Sequence, residues 1–511
     1  MARDGVSLLD ALREDLGARS VKDGCSPQGQ CGCCTVLIDG AARVACVTPV
    51  RRVAGRSVVT ADGLDPEVAR LLVGAFVDRG ASQCGFCTPG ILCRLAALGA
   101  TPTVAQVETA LLAHLCRCTG WRTVVDAGCS RAVAGRTASG AATVSSPEAS
   151  ARRAAIEGGT AQSTGAEIVR GRGHFADDRA PPGCLVAVPD GQGGWAVGET
   201  LAEARAAFGK VPGRRSGQEL SYPLDVPAGQ WDVTLQTTWV EPAYLEPDAS
   251  WCLPGGEAAH AAGNGGAFGG KVASAAPAAA RELADRYGRP VRVVFSREDV
   301  VKLGPKRPPI AAGVRSDGTG IMRLVAAAGV SEAIAAVAPG LDVQEVEVDG
   351  PPVSAAIRAA GWAEAAVLMA ALDGGPTASV TAPDGGRAEA EVHVDAAGRP
   401  TSVSIRVGCG DPLDEVVLRS YVTGAAHMAL GWVCSEAIAV SDDGVPADLT
   451  IRSFGILRAR DTPPITVTIE RSGAGAPPTN GSDAAFAAVA AAMWMAQGRP
   501  PRWPTQRGRT S

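Results

Sequence analysis

Aromatic residues make up only 4% of this 511-residue chain, and its basic residues cluster no further than short pairs such as Arg51–Arg52. The formal charge is −5, with both signs well mixed. That argues against the basic, base-stacking surface of a nucleic-acid binder. No uninterrupted apolar run is long enough to cross a bilayer. The opening "MARDGVSLLDALREDLGARS" lacks the continuous apolar core of a secretory leader. Its Leu8, Leu9, Leu12 and Leu16 fit a short amphipathic helix instead, and a soluble cytoplasmic protein is expected. No dinucleotide fingerprint is present, so neither a flavin nor a nicotinamide site is expected in this chain.

What is present in excess is cysteine. Of fifteen, ten fall between Cys25 and Cys118, whereas Cys129, Cys184, Cys252, Cys409 and Cys434 are scattered. A secreted disulfide scaffold spreads its bridges through the fold, so two local groups point to metal. The first group is "CSPQGQCGCC", residues 25–34, followed by Cys46. A [2Fe-2S] cluster takes four thiolates, two on each iron, carried on short loops whose amides can face sulfur. "TVLIDG" reads as a strand ending in an Asp39–Gly40 turn, and "AARVAC" returns Cys46 to the loop. Structural zinc is the other chemistry that this group allows.

The second group pairs "QCGFCTPG", with Cys84 and Cys87, and "LCRCTGW", with Cys116 and Cys118. A redox dithiol explains the first pair but not Cys-Arg-Cys. Helices are expected over 66–79 and 90–98, and Thr103 and Gln106 have capping-box spacing before another. Cys93 reads as core, His114 as a packed histidine, and Arg94 and Arg117 as shaping the local field or facing solvent.

Residues 129–165, rich in Ala, Ser, Gly and Thr, read as a linker in which 149–156 can form one helical patch. Residues 166–505 mix strands, such as "VRVVF", "AEVHVDAAGRPTSVSIRVG" and "ITVTIE", with helices expected over 273–286, 353–372 and 483–497. "GNGGAFGGK", residues 263–271, is a glycine-rich loop that lacks nucleotide P-loop spacing. Its amides could approach an anion or an oxygen-bearing metal centre, or it could be a tight structural turn.

Residues 5–125 resemble the iron–sulfur region of the molybdenum hydroxylases, the xanthine dehydrogenase and aldehyde oxidase family. The likeness rests on "GCSPQGQCGCCTVLIDG", "QCGFCTPG" and "LCRCTGW". It implies an α+β multidomain chain. Residues 1–60 would be a ferredoxin-like β-grasp domain, trimmed at its N-terminus, and 61–128 a four-helix [2Fe-2S] domain. After the linker, 166–505 would form a shortened molybdopterin-binding-like region. By resemblance Cys25, Cys31, Cys34 and Cys46 hold the outer cluster. Cys84, Cys87, Cys116 and Cys118 hold the one nearer molybdenum. Cys33 falls where the family has a small non-ligand residue, and five residues rather than four separate the first two ligands.

In the larger region the resemblance places Gly265, Gly266, Ala267, Phe268, Gly269 and Gly270 against a molybdopterin-type cofactor, with Arg358 beside them. Glu246, bracketed by Pro242 and Pro247, would position loops. Asp483 is the acidic residue nearest to the family's catalytic glutamate, and it reads equally as a helix-start residue behind a Ser482 cap. The region is short for the family, and no glutamine- and glycine-rich pterin loop is present. Two functions follow: hydroxylation of an aldehyde or purine-like N-heterocycle, with electrons leaving through two clusters, or an electron-transfer subunit whose molybdenum region is degenerate. A scaffold that uses its clusters only for folding is a third. The resemblance puts FAD on a separate partner subunit, and admits another molybdenum-family subunit.

Overall fold

The computed structural model describes residues 5–130, 146–209, 213–471 and 475–507. Near the start, Ser7 caps a one-turn helix, Leu8–Asp10, that continues as a π-turn through Asp15. Leu8, Leu9 and Leu12 are buried against Val36 and Ile38 of a three-stranded antiparallel sheet. In that sheet Thr35–Ile38 lies between Ala41–Val44 and Val58–Val59. Asp39 and Gly40 have φ of 49° and 78°, the paired positive values that a two-residue type I′ hairpin needs. The expected turn therefore forms, and it carries Cys46 back beside Cys34.

Four helices follow, Pro66–Asp78, Thr88–Ala96, Val104–Ala110 and Arg122–Cys129. The Asp65 carboxylate accepts from the Glu67 and Val68 amides, and Thr103 and Gln106 form the expected capping box. The first unit is pinned to the larger region by Arg13, which donates to Asp177 and Asp178 at 2.6 and 2.9 Å, and by Lys22 on Asp178.

Among its described residues the larger region holds three four-stranded sheets. One runs in the order Trp195–Gly198, Leu185–Pro189, Val291–Val294, Ala249–Cys252, with helix Ala276–Tyr287 against it. The second runs Leu341–Val346, Gly320–Val325, Ile310–Val314, Val233–Gln236. The third runs Thr377–Thr381, Arg387–Val394, Pro400–Gly408, Ile465–Ile469, its last pair parallel. Helices Trp362–Leu372, Glu415–Cys434 and Ser482–Ala496 are buried around this third sheet. Among the described residues no helix is long and apolar enough to cross a membrane.

One expectation is corrected and another, the helical patch over 149–156, is extended. The helix expected over 353–372 starts only at Trp362, because Gly361 takes a φ of 81° ahead of it. Arg358 therefore sits in a turn before the helix. Within the expected linker, Pro147–Gly158 is a helix that buries Arg153, Ala154 and Glu157. Its Ser146 side chain accepts from the Ala149 amide and Gly159 ends it in the left-handed region, the start and stop signals that a composition-based reading passes over.

Candidate metal centre and the closed pocket beside it

All four nominated cysteines of the first group are buried, and so is Cys33. The Cys25, Cys31, Cys34 and Cys46 thiols are close enough to shift one another's protonation, and Cys31 and Cys33 do the same. The Cys33 sulfur lies 3.9 Å from the Cys31 carbonyl. The Gln28 amide donates to the Cys25 sulfur at 3.2 Å and the Cys46 amide to that of Cys34 at 3.5 Å. Hydrogen bonds from Cys31, Cys46 and the loop amides hold the Cys25 thiol well below its ordinary range, despite burial.

In the second group Cys84 and Cys118 lie 3.5 Å apart, and Cys87 is hydrogen-bonded to Cys116. The Cys87 contact, with further help from Thr119 at 3.1 Å, brings Cys116 down to about 6 against the effect of burial. Cys93 is buried in its helix and pushed up to about 12 by that burial, so it behaves as core. The side chain of Arg117, placed between Cys116 and Cys118, faces the interior rather than solvent. It grips Glu436 with two bonds, 2.5 and 2.7 Å, and donates to the Pro242 carbonyl.

His114 joins the two groups. A Cβ on Gly32 would lie 2.6 Å from its ring, so the first loop can only pack there through glycine. Its Nε2 lies 3.2 Å from Thr35 Oγ1 and 3.3 Å from the Gly90 carbonyl, and burial takes its pKa down to about 3. It is a neutral packing residue. Beside it the Leu115 amide donates to the Cys31 carbonyl at 3.0 Å. Among the described residues no group of three or more His, Cys, Asp or Glu is arranged to hold a single metal ion. The donor chemistry is that of two all-thiol sets, which suits [2Fe-2S] ligation.

The glycine-rich loop lies directly on the second set. A Cβ on Gly266 would be 2.7 Å from the Cys84 Cβ and 2.9 Å from its sulfur. Asn264 ties the loop to the Gln83 carbonyl and to both backbone groups of Ser163. Lys271 is 2.8 Å from Glu246, whose carboxyl burial holds up at about 7 although Lys271 opposes this. Beyond the loop, the Phe268 ring lies under the Arg358 guanidinium at 4.7 Å.

Arg358 and Asp483 are brought together, 2.8 Å apart, and Arg358 also donates to Ser482 Oγ. Burial raises the Asp483 pKa, with Arg358 opposing it. Ser482 is not the cap expected. It is the first helical residue, and its amide donates to Glu157, as does that of Gly481, while Asn480 accepts from the Asp483 amide. Glu157 arrives from the linker helix with Arg153 bound 2.8 Å away. Glu157, Asn480, Glu436 and the buried Arg307–Glu364 pair were not nominated from sequence. Only Arg153 and Glu157 carried a local signal, an i,i+4 charge pair.

A molybdopterin-type group does not fit the space beside the glycine-rich loop and Arg358. The cavity between the loop and Cys84, Cys87 and Cys118 is about 10 Å³. The one bounded by Phe268, Arg358, Arg117, Glu436 and Trp432 is about 20 Å³. An organic cofactor needs a pocket of roughly 300–1,000 Å³. Side chains fill that space: Arg307 lies over Trp432 at 4.1 Å while bound to Glu364, and the Arg117–Glu436 and Arg358–Asp483 pairs close the rest.

Residues 60–129 match the family model described as a [2Fe-2S] binding domain. The nicotinate dehydrogenase small FeS subunit of Eubacterium barkeri is 40% identical over 118 residues, 22% of this chain and 74% of that protein. An aldehyde oxidoreductase of Megalodesulfovibrio gigas is 43% identical over 132 residues, 24% of this chain, but the match spans only 14% of that protein's length. By fold, the chain is similar to the crystal structure of the aldehyde oxidoreductase from Desulfovibrio desulfuricans. The TM-score is 0.73 at 14% identity, covering 96% of this chain and 95% of that one. At that identity the likeness speaks to fold alone.

Proposed function

The chain belongs to the molybdenum hydroxylase family, with an iron–sulfur-binding region fused to a size-reduced further region, and we propose that it serves there as an electron-transfer subunit rather than as the hydroxylating centre. The observation that carries this reading is the filled space beside Cys84 and Cys118, where two cavities of about 10 and 20 Å³ remain. In this reading Cys25, Cys31, Cys34 and Cys46 hold one [2Fe-2S] cluster, and Cys84, Cys87, Cys116 and Cys118 hold a second. When bound, each would accept and release single electrons.

The chain's own residues do the rest. Amides facing the Cys25 and Cys34 sulfurs favour the thiolate form that binds iron. The Leu115–Cys31 bond and the His114 packing hold the two sets at a constant separation. Arg117 is neutralised by Glu436, so no bare cation lies beside the second set. The relative named as a small FeS subunit supports a role within a complex. A partner would then supply the FAD, and another subunit would oxidise the aldehyde or N-heterocycle.

The convergence of Phe268, Arg358 and Asp483 is what favours the hydroxylase reading, but a mutually neutralised pair leaves neither group available to a substrate. Metal analysis of the chain purified with its genomic partners separates the readings. About four Fe without Mo, with two reduced [2Fe-2S] signals by EPR, is expected. One Mo held by this chain would overturn the assignment, and zinc without acid-labile sulfide would overturn both.

A further inference from the structure

Between Cys25 and Cys31 the first loop enters the left-handed region twice, at Ser26 with φ of 54° and at Gly29 with φ of 71°. For a serine that backbone costs about 1–3 kcal/mol, so the surrounding structure has to hold it. Gln28 lies between the two, and its side chain is gripped by the larger region. Its Nε2 donates to Glu298 Oε1 at 2.9 Å and to the Leu449 carbonyl at 2.8 Å. Its Oε1 accepts from the Ile451 amide at 3.1 Å. Gly213 covers the first of these bonds: a Cβ there would lie 2.6 Å from Gln28 Nε2 and 2.7 Å from Glu298 Oε1. The same region holds the loop on either side, Arg297 donating to the Gly24 carbonyl at 2.9 Å and Arg452 to that of Gln30 at 3.0 Å. The backbone N–H of Gln28 is the one that donates to the Cys25 sulfur, at 3.2 Å. Clamp and sulfur contact thus belong to one residue.

We propose that Gln28 is a positioning residue for electron transfer: its clamped side chain keeps its backbone N–H on the Cys25 sulfur, which raises the reduction potential of the outer cluster. The inference rests on the two-cluster reading above. An N–H aimed at a ligand sulfur draws off negative charge, and reduction adds negative charge. The contact therefore stabilises the reduced state more than the oxidised one. This gives the larger region a part in electron transfer that needs no open pocket.

The test uses the full chain with its genomic partners, as wild type, Gln28→Met and Gln28→Asn. Methionine fills much the same length and keeps water out, but makes none of the three bonds. Iron per chain, the midpoint potential of each EPR-distinguishable centre and hydrogen exchange over residues 25–31 are measured. Gln28→Met is expected to keep wild-type iron and to exchange faster over that segment. Its outer centre's potential is expected to fall by about 60 mV, a tenfold change in the reduced-to-oxidised ratio for one electron, with the inner centre unchanged. Gln28→Asn, whose amide is one methylene short of its partners, is expected to shift the potential the same way by less. In wild type, slow exchange at the Gln28 amide is expected, a measurement that needs no variant to fold. An outer potential unchanged or raised in either variant would overturn the inference. So would loss of about half the iron in Gln28→Met, or fast exchange at the wild-type Gln28 amide. A wild-type chain without two centres overturns the underlying reading as well, so the two failures are distinguishable.

Discussion

Removing the negative charge of Glu436 while keeping its shape, Glu436→Gln, asks whether the closed pocket is held by its ion pairs. Arg117 and Glu436 have side chains only 5% and 2% exposed and are joined by two short bonds. A unit charge pair about 4 Å apart in a medium of effective dielectric near 20 is worth about 4 kcal/mol. The adjoining cavity, about 20 Å³, has room for about one water, which does not replace the lost carboxylate charge. Stranding one buried charge costs about 3–5 kcal/mol, and that is the loss expected for Glu436→Gln at neutral pH. Replacing both partners, Arg117→Met with Glu436→Leu, is expected to recover most of it, since neither charge is then desolvated. Denaturant unfolding followed by circular dichroism, with the double-mutant cycle completed by Arg117→Met, measures the coupling. A Glu436→Gln protein within about 1 kcal/mol of wild type would refute the reasoning, because that is the behaviour of an exposed pair.

Glu157→Ala strips the Gly481 and Ser482 amides of their acceptor and leaves Arg153 without its carboxylate. A loss of about 3–5 kcal/mol is expected, with faster hydrogen exchange at the start of helix Ser482–Ala496; unchanged exchange there would count against the clamp. Glu246 is lifted by burial from 4.5 to about 7, so the folded state holds its proton more tightly than the unfolded state. That contribution is complete below pH 4.5 and is lost as pH rises through 7, about 3 kcal/mol in all. The stability of wild type minus that of Glu246→Gln should fall over this window, and a flat difference would contradict it. A Cβ on Gly424 would lie 1.7 Å from the Cys118 carbonyl, whereas Gly74 faces open space. Gly424→Ala should therefore lower iron content, while Gly74→Ala, in the interior of helix Pro66–Asp78, should stabilise by about 1 kcal/mol in thermal unfolding.

What could be read from sequence was what is local. The Asp39–Gly40 hairpin and the Thr103–Gln106 capping box each depend on residues within a few positions of one another. The spacing within the cysteine motifs is equally local, so these features were legible. Arg117 and Glu436 are 319 positions apart, and no period or spacing links them. Arg13 meets Asp177 and Asp178 across more than 160 positions. The linker was legible in part, its expected patch over 149–156 lying within helix Pro147–Gly158. Its alanine-rich composition resembles a flexible tether, and it took the burial of Arg153 and Glu157 to show that one face of its helix is structural.

The nominated pair Arg358 and Asp483 converges in the fold, 2.8 Å apart, and its partners bear on the chemistry open to it. Both residues do converge beside Phe268. A general base must be free to take a proton from substrate, within hydrogen-bond reach of it. Here one Asp483 oxygen accepts from Arg358 and the other from Asn480 at 3.2 Å. Both carboxylate oxygens are thus engaged within the protein. The Arg358 guanidinium is divided among Asp483, Ser482 and the Met428 sulfur. The side chains of Arg358, Asp483 and Ser482 are each engaged by other groups of the protein, and Glu157 supplies the anion that the helix start attracts. Such closure stabilises a fold. The cysteine sets lie on the other side of the Gly266 contact, so the electron-transfer reading proposed above does not depend on this corner being open.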